Sequence, residues 1–126
     1  MIVHSEGVTE HQLPGLSHRT VAGPRQGLES LEVWVQTVAP GAATPVHRHD
    51  CEEAIVVLQG SGVLHLSGRE QPFGPGDTLV IPRDAVHQVV ASDAEPLRIV
   101  AALSTAPVRV HSAENEHIPL PWDGGR

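Results

Sequence analysis

The 126-residue sequence is almost without cysteine: Cys51 stands alone, so no disulfide can form within the chain. That fits a reducing compartment, and a cytoplasmic protein is the expectation. The sequence also has no basic run. Eight basic residues face 15 acidic ones, for a formal net charge of −7. Phosphate backbones need a positive footprint, so no nucleic-acid partner is expected. No apolar stretch is long enough to span a bilayer, so no membrane partner is expected either. Met1-Ile2-Val3-His4-Ser5-Glu6 has neither the basic nor the long apolar segment of a signal peptide. Helix formers are concentrated nowhere.

What is present is a strand-and-turn composition. Twelve Gly and 11 Pro are spread along a chain that is 40% hydrophobic. Such a mix predicts many short strands joined by tight turns, in an all-β sandwich or closed barrel. The length suits one domain over residues 1–126, with its barrel core at about 18–106. Residues 1–17 read as an irregular arm, followed by a strand over Arg19-Thr20-Val21-Ala22. From Leu31 to Val38 the alternation puts Glu32, Trp34, Gln36 and Val38 on one face. Leu31, Val33, Val35 and Thr37 share the other. Further short strands are expected over 54–58, 63–66, 78–81, 86–90 and 97–103, with Ser67-Gly68 as a hairpin tip. In the tail, Pro119 and Pro121 exclude a regular sheet interior.

Nine histidines stand out. His4, His11, His18, His111 and His117 have no local partner pattern and read as surface residues. His47 and His49 are different. Two residues apart on an extended segment, they project from one face and can point at one ion. Glu53 follows after Asp50-Cys51-Glu52 and can reach the same ion. An isolated His-x-His is more often a pair of exposed polar residues; Glu53 and the flanking turn glycines favour a metal here. His87 would complete the set if the fold brings it near. Three imidazoles and a carboxylate suit one divalent ion, zinc first, with iron, manganese or nickel also compatible.

The spacing resembles the cupin superfamily. Gly41, His47-Arg48-His49, Glu53 and Gly60 match the first cupin motif at each fixed position, and Gly76, Pro82 and His87 match the second. Asp84 and Ala91 stand where that motif has Gly and Asn. The implied fold is a double-stranded β-helix, or jelly-roll barrel, with an N-terminal arm and a C-terminal tail. From residue 15 onward the chain further resembles the plant auxin-binding proteins. The likeness is carried by 15–23, by Glu32-Val33-Trp34-Val35-Gln36-Thr37, by Thr44 to Glu53, by Asp84 and His87-Gln88-Val89, and by Pro121-Trp122-Asp123.

This resemblance implies a zinc ion on His47, His49, Glu53 and His87 that takes the carboxylate of an indole-type acid. It implies a ring pocket from Trp34, Gln36, Thr44, Pro45, Ile55 and Trp122. Ile55 replaces an aromatic of the family, so ring recognition is expected to rest on Trp34 and Trp122. A homodimer is implied as well.

The functional expectation is a protein that binds a small aromatic or indole-type carboxylic acid through an open metal position. The alternative is a metal-dependent dioxygenase, decarboxylase or isomerase acting on such an acid. A structural metal in an interaction module is a third possibility. By strand position, His65 and Glu32 are the only inward general-base candidates, and each reads as a partner in a polar network. Arg48 is expected to point away from the ligands into an ion pair with an acid on a neighbouring strand. Cys51 reads as a small buried residue behind the ligand loop.

Overall fold

A computed structural model describes residues 1–122. Among the described residues, nine strands form two antiparallel sheets. In chain order they are β1 (His11–Leu13), β2 (Leu16–Ala22), β3 (Glu32–Val38), β4 (Glu53–Gln59), β5 (Gly62–Leu66), β6 (Arg69–Phe73), β7 (Thr78–Ile81), β8 (His87–Ala91) and β9 (Leu97–Leu103). The larger sheet runs β1-β2-β3-β9-β4-β7 and the smaller β6-β5-β8. This is the cupin jelly roll. Ile55, Val57, Ile99 and Leu103 from the large sheet share one core with Leu64, Phe73 and Val89 from the small one.

Side-chain alternation decides which face of each strand is wet. β3 buries Glu32, Trp34, Gln36 and Val38 and leaves the intervening residues half-buried, as its period-two pattern predicts. β3 pairs with β9 along its whole length, and β9 pairs with β4, so the inward residues of three strands line one wall. Gly60 turns the chain between β4 and β5 with φ 88°, and a Cβ there would meet the Pro96 carbonyl oxygen at 2.5 Å. Only glycine fits that corner.

The N-terminal arm is more ordered than its sequence suggests. Residues 11–13 and 16–22 pair as a hairpin, with Leu13 opposite Leu16. Pro14 and the left-handed Gly15 (φ 72°) are the residues a type II turn calls for. β1 has little apolar alternation of its own, so its pattern alone did not mark it as a strand; pairing with β2 makes it one. The small sheet ends in β6, whose polar residues and Pro72 suit an edge. Beyond Leu103 the described residues include no strand, only the isolated bridges Arg48–His111 and His111–His117. Among the described residues no helix is long and apolar enough to cross a membrane.

Candidate metal centre

The geometry begins at one backbone pairing. The His47 amide donates to the His87 carbonyl (3.0 Å), and the His87 amide donates back to His47 (2.8 Å). That bridge joins segments forty residues apart in sequence and sets the two rings 4.2 Å apart, centroid to centroid. His49, two residues along, puts its ring 4.9 Å from His47. One nitrogen from each of the three imidazoles lies within 4.8 Å of the others, a set able to hold a metal ion. Glu53, the first residue of β4, turns its carboxylate toward them. Its Oε1 is 3.3 Å from His87 Nε2 and 3.6 Å from His49 Nε2.

Hydrogen bonds on the far side of each ring settle the tautomers. Nδ1 of His47 donates to the Pro45 carbonyl (2.6 Å), that of His49 to the Arg109 carbonyl (2.9 Å), and that of His87 to the Ala85 carbonyl (2.9 Å). A carbonyl only accepts, so each Nδ1 carries the proton, and a neutral ring presents its Nε2 lone pair inward.

The charges agree with this. Burial, helped by His87 and His49, pushes the His47 pKa down to about 3, so the ring is neutral at pH 7. Burial also lowers the pKa of His49, against the pull of Glu53. For Glu53 burial works toward protonation, but His87 and the other imidazoles prevail and hold the carboxyl below its usual range. His49 Nε2 and Glu53 Oε1 are buried without a hydrogen-bond partner. Buried acceptors with no donor carry a desolvation cost, which a divalent cation would remove. The residues therefore fit such an ion.

The motif departure at Asp84 has a structural reason. Asp84 takes the left-handed φ of 64° that a glycine would take, which Asp tolerates better than most residues. Its amide donates to the His49 carbonyl (2.8 Å), and its carboxylate accepts from Arg48 Nη1 (2.7 Å). Arg48 also donates through Nε to Asn115 Oδ1, so it is held in an ion pair outside the cluster. Cys51 is buried, and burial pushes its thiol up to about 11.

All six pocket candidates line one cavity of about 100 Å³ that also reaches His47, Glu53 and His87. Trp34, Gln36 and Ile55 come from strands, Thr44 and Pro45 from the ligand segment, and Trp122 from the tail. Thr44 Oγ1 accepts from the Val89 amide (3.0 Å), which ties the ligand segment to β8. Leu13, Ile99 and Leu120 complete the apolar wall. Asp123 lies outside the described residues.

His18 departs from the sequence reading, Glu32 keeps to it as a partner in a polar network, and His65 turns away from the cavity. His18 is fully buried, not at the surface. It sits on the same strand face as Leu16, two residues before it, and that parity was the available signal. Gln36 Nε2 donates to His18 Nδ1 (3.0 Å), so His18 Nε2 carries the proton and donates to Thr20 Oγ1 (2.7 Å). The His18 ring stacks on Trp122 at 3.5 Å and 4°. Glu32 is buried and accepts from Trp34 Nε1 (2.9 Å) and the Val108 amide (2.7 Å), which occupies it structurally. His65 faces Glu70 (3.6 Å) and does not line the cavity. Arg109 escaped the sequence reading because its contribution is a backbone carbonyl.

Comparison with known proteins adds a family and a fold. The family described as auxin binding protein matches residues 5–121. The chain is 40% identical over 129 residues to Auxin-binding protein 1 of Arabidopsis thaliana, covering 87% of this chain and 65% of that protein. It is 41% identical over 130 residues to Auxin-binding protein T85 of Nicotiana tabacum, covering 86% of this chain and 70% of that one. The chain thus spans about two thirds of the length of these relatives. Among solved structures, the polyketide cyclase RemF from Streptomyces resistomycificus superposes with a TM-score of 0.74 at 26% identity, covering 98% of this chain and 88% of that one.

Proposed function

The chain belongs to the auxin-binding protein family, and from that premise we propose that it binds a small carboxylic acid at an open position on one divalent metal ion. The ion is zinc, held by His47, His49, His87 and Glu53. The observation that carries this reading is the cluster of three imidazoles with the Glu53 carboxylate beside it, at the end of an apolar cavity. A closed-shell ion with a free position would supply a point charge for a carboxylate. The chain's own residues would do the rest. The Pro45, Arg109 and Ala85 carbonyls keep the ligand rings oriented, and the apolar walls keep water from competing. Acids of the family's aromatic, indole type would meet the flat rings of Trp34 and Trp122.

The test is metal analysis of the purified protein followed by calorimetry with carboxylic acids. The expected result is one zinc per chain and acid binding that disappears in His47→Ala. Full metal content with no affinity for any carboxylate would overturn the binding reading. A second reading is a metal-dependent enzyme, with dioxygenase, decarboxylase or isomerase chemistry as the alternatives; the likeness to a cyclase across nearly the whole chain supports catalysis on this fold without selecting among them. Mostly iron or nickel, with oxygen uptake on adding the acid, would select it.

We further propose a homodimer formed through the outer face of the large sheet. Val56, Leu58 and Val80 are exposed there at 40%, 53% and 68%, and Val56 lies in register with Val100 and Val35. A contiguous apolar sheet face of this kind suits a second copy. Val56→Glu should shift sedimentation from dimer to monomer. The single cysteine supports a cytoplasmic location.

A further inference from the structure

The three imidazoles are not held alike. His47 donates from Nδ1 to the Pro45 carbonyl and His87 to the Ala85 carbonyl, each two residues back in the same segment. Such partners come with the local chain. His49 donates instead to the Arg109 carbonyl, 60 residues away. A contact outside the ligand segment must therefore keep that carbonyl in place.

The backbone nearby does part of this. Arg48 and His111 exchange amide–carbonyl bonds of 2.9 and 3.0 Å, so the tail crosses the ligand segment there. Arg109 is two residues short of that crossing and belongs to no strand. Among the described residues, its main chain meets the ligand segment only at the carbonyl that His49 uses. Its side chain returns to the same segment. Nε and Nη2 reach Oδ2 of Asp50 at 2.9 and 2.8 Å, and Asp50 directly follows His49. Backbone and side chain of one residue thus grip two consecutive residues of the ligand segment.

We infer that Arg109 is a positioning residue of this site: its guanidinium, seated on Asp50, sets its own carbonyl against His49 Nδ1 and so aims the His49 Nε2 lone pair. The carbonyl is common to every residue type; the rigid fork that places it is not. This role presupposes the proposed divalent ion. The two side chains are 51% and 33% exposed, so their ion pair adds little to stability. Its effect is expected in ligand geometry instead. Losing a ligand's outer partner weakens metal affinity by ~10–100-fold. Here the carbonyl stays and only its placement loosens, so the lower end of that range applies.

The test is the Zn²⁺ affinity of the full chain, by competition with a chromophoric chelator, in the wild type, Arg109→Ala, Asp50→Ala and the double variant. Each single variant should bind Zn²⁺ about tenfold more weakly. The double variant should lose no more than either single one, because the same interaction is missing in all three. Arg19→Ala, which breaks a comparable ion pair with Glu10 beside the β1–β2 hairpin, should bind as the wild type does. In metal-free protein, the NMR signal of the His49 Nδ1–H should be seen in the wild type and broaden by exchange in Arg109→Ala, a change that a purely structural role would not produce. Unchanged affinity in both single variants, or losses that add in the double one, overturns the role of Arg109 and leaves the metal site standing. A wild type that takes up no Zn²⁺ overturns both.

Discussion

The two ends of the cavity are built by different means. The candidate metal end is tied to backbone at its three imidazoles: His47 and His87 share a two-way amide–carbonyl bridge, and each of the three rings donates to a main-chain carbonyl. The tail end is held by side chains. Trp122 rests on His18, and the tail is fastened to β3 where the Val108 amide reaches Glu32. Backbone ties set positions to within a fraction of an ångström, which metal coordination needs. Side-chain packing can change with one substitution, which suits the end that selects a ligand. The two ends should therefore respond separately to mutation.

The largest effect is expected at the metal end. His47→Ala should weaken metal affinity by more than about 100-fold, since even losing an outer partner of a ligand costs ~10–100-fold. Metal content by mass spectrometry checks it, and Trp122→Ala should leave that content unchanged. If both variants lose the metal, the two ends are coupled and the contrast fails.

Acid should act on the same end. The folded-state pKa of His47 lies well below its ordinary value of 6.5, so the unfolded chain takes up its proton first as pH falls. The associated stability is intact above pH 6.5 and is lost on the way down toward about pH 3. In metal-stripped protein this group alone should cost about 2 kcal/mol by roughly pH 5, measured by urea denaturation. An apo protein equally stable at pH 7 and 5 would contradict the neutral, buried imidazole.

Glu32→Gln probes the tail end. A carboxylate offers an oxygen to each of its two donors, Trp34 Nε1 and the Val108 amide, whereas an amide has one oxygen and brings an N–H against the other. The expected loss is about 1–3 kcal/mol in urea denaturation, with metal content preserved. The smallest effect is at Cys51, buried behind the ligand loop with its thiol pushed up to about 11. Ellman's reagent at pH 8 should label it only after unfolding; rapid labelling of the native protein would show that the ligand loop opens on its own.

Much of the architecture could be read in advance because it depends on neighbours in sequence. The inward face of β3 follows from alternation, and the His47–His49–Glu53 set from spacing along one extended segment and a short loop. Asp84 seemed a break in the second motif until its left-handed backbone and its bond to Arg48 gave the substitution a role. Other features had no local signature. β1 is a strand because β2 pairs with it, His18 is buried because β2 lies against β3, and Arg109 matters for a carbonyl every residue type shares.

By itself, then, the sequence determined the strand faces, the candidate metal ligands and the family, since these rest on periodicity and on the identity of side chains at fixed offsets. Only the tertiary structure decided which distant segments meet and how much space remains between them. His87 reaches the cluster through an antiparallel bridge, and a tail tryptophan docked on His18 joins the wall of the cavity of about 100 Å³. Register and volume arise from the sum of many contacts across the sheets, and no short stretch of residues encodes that sum.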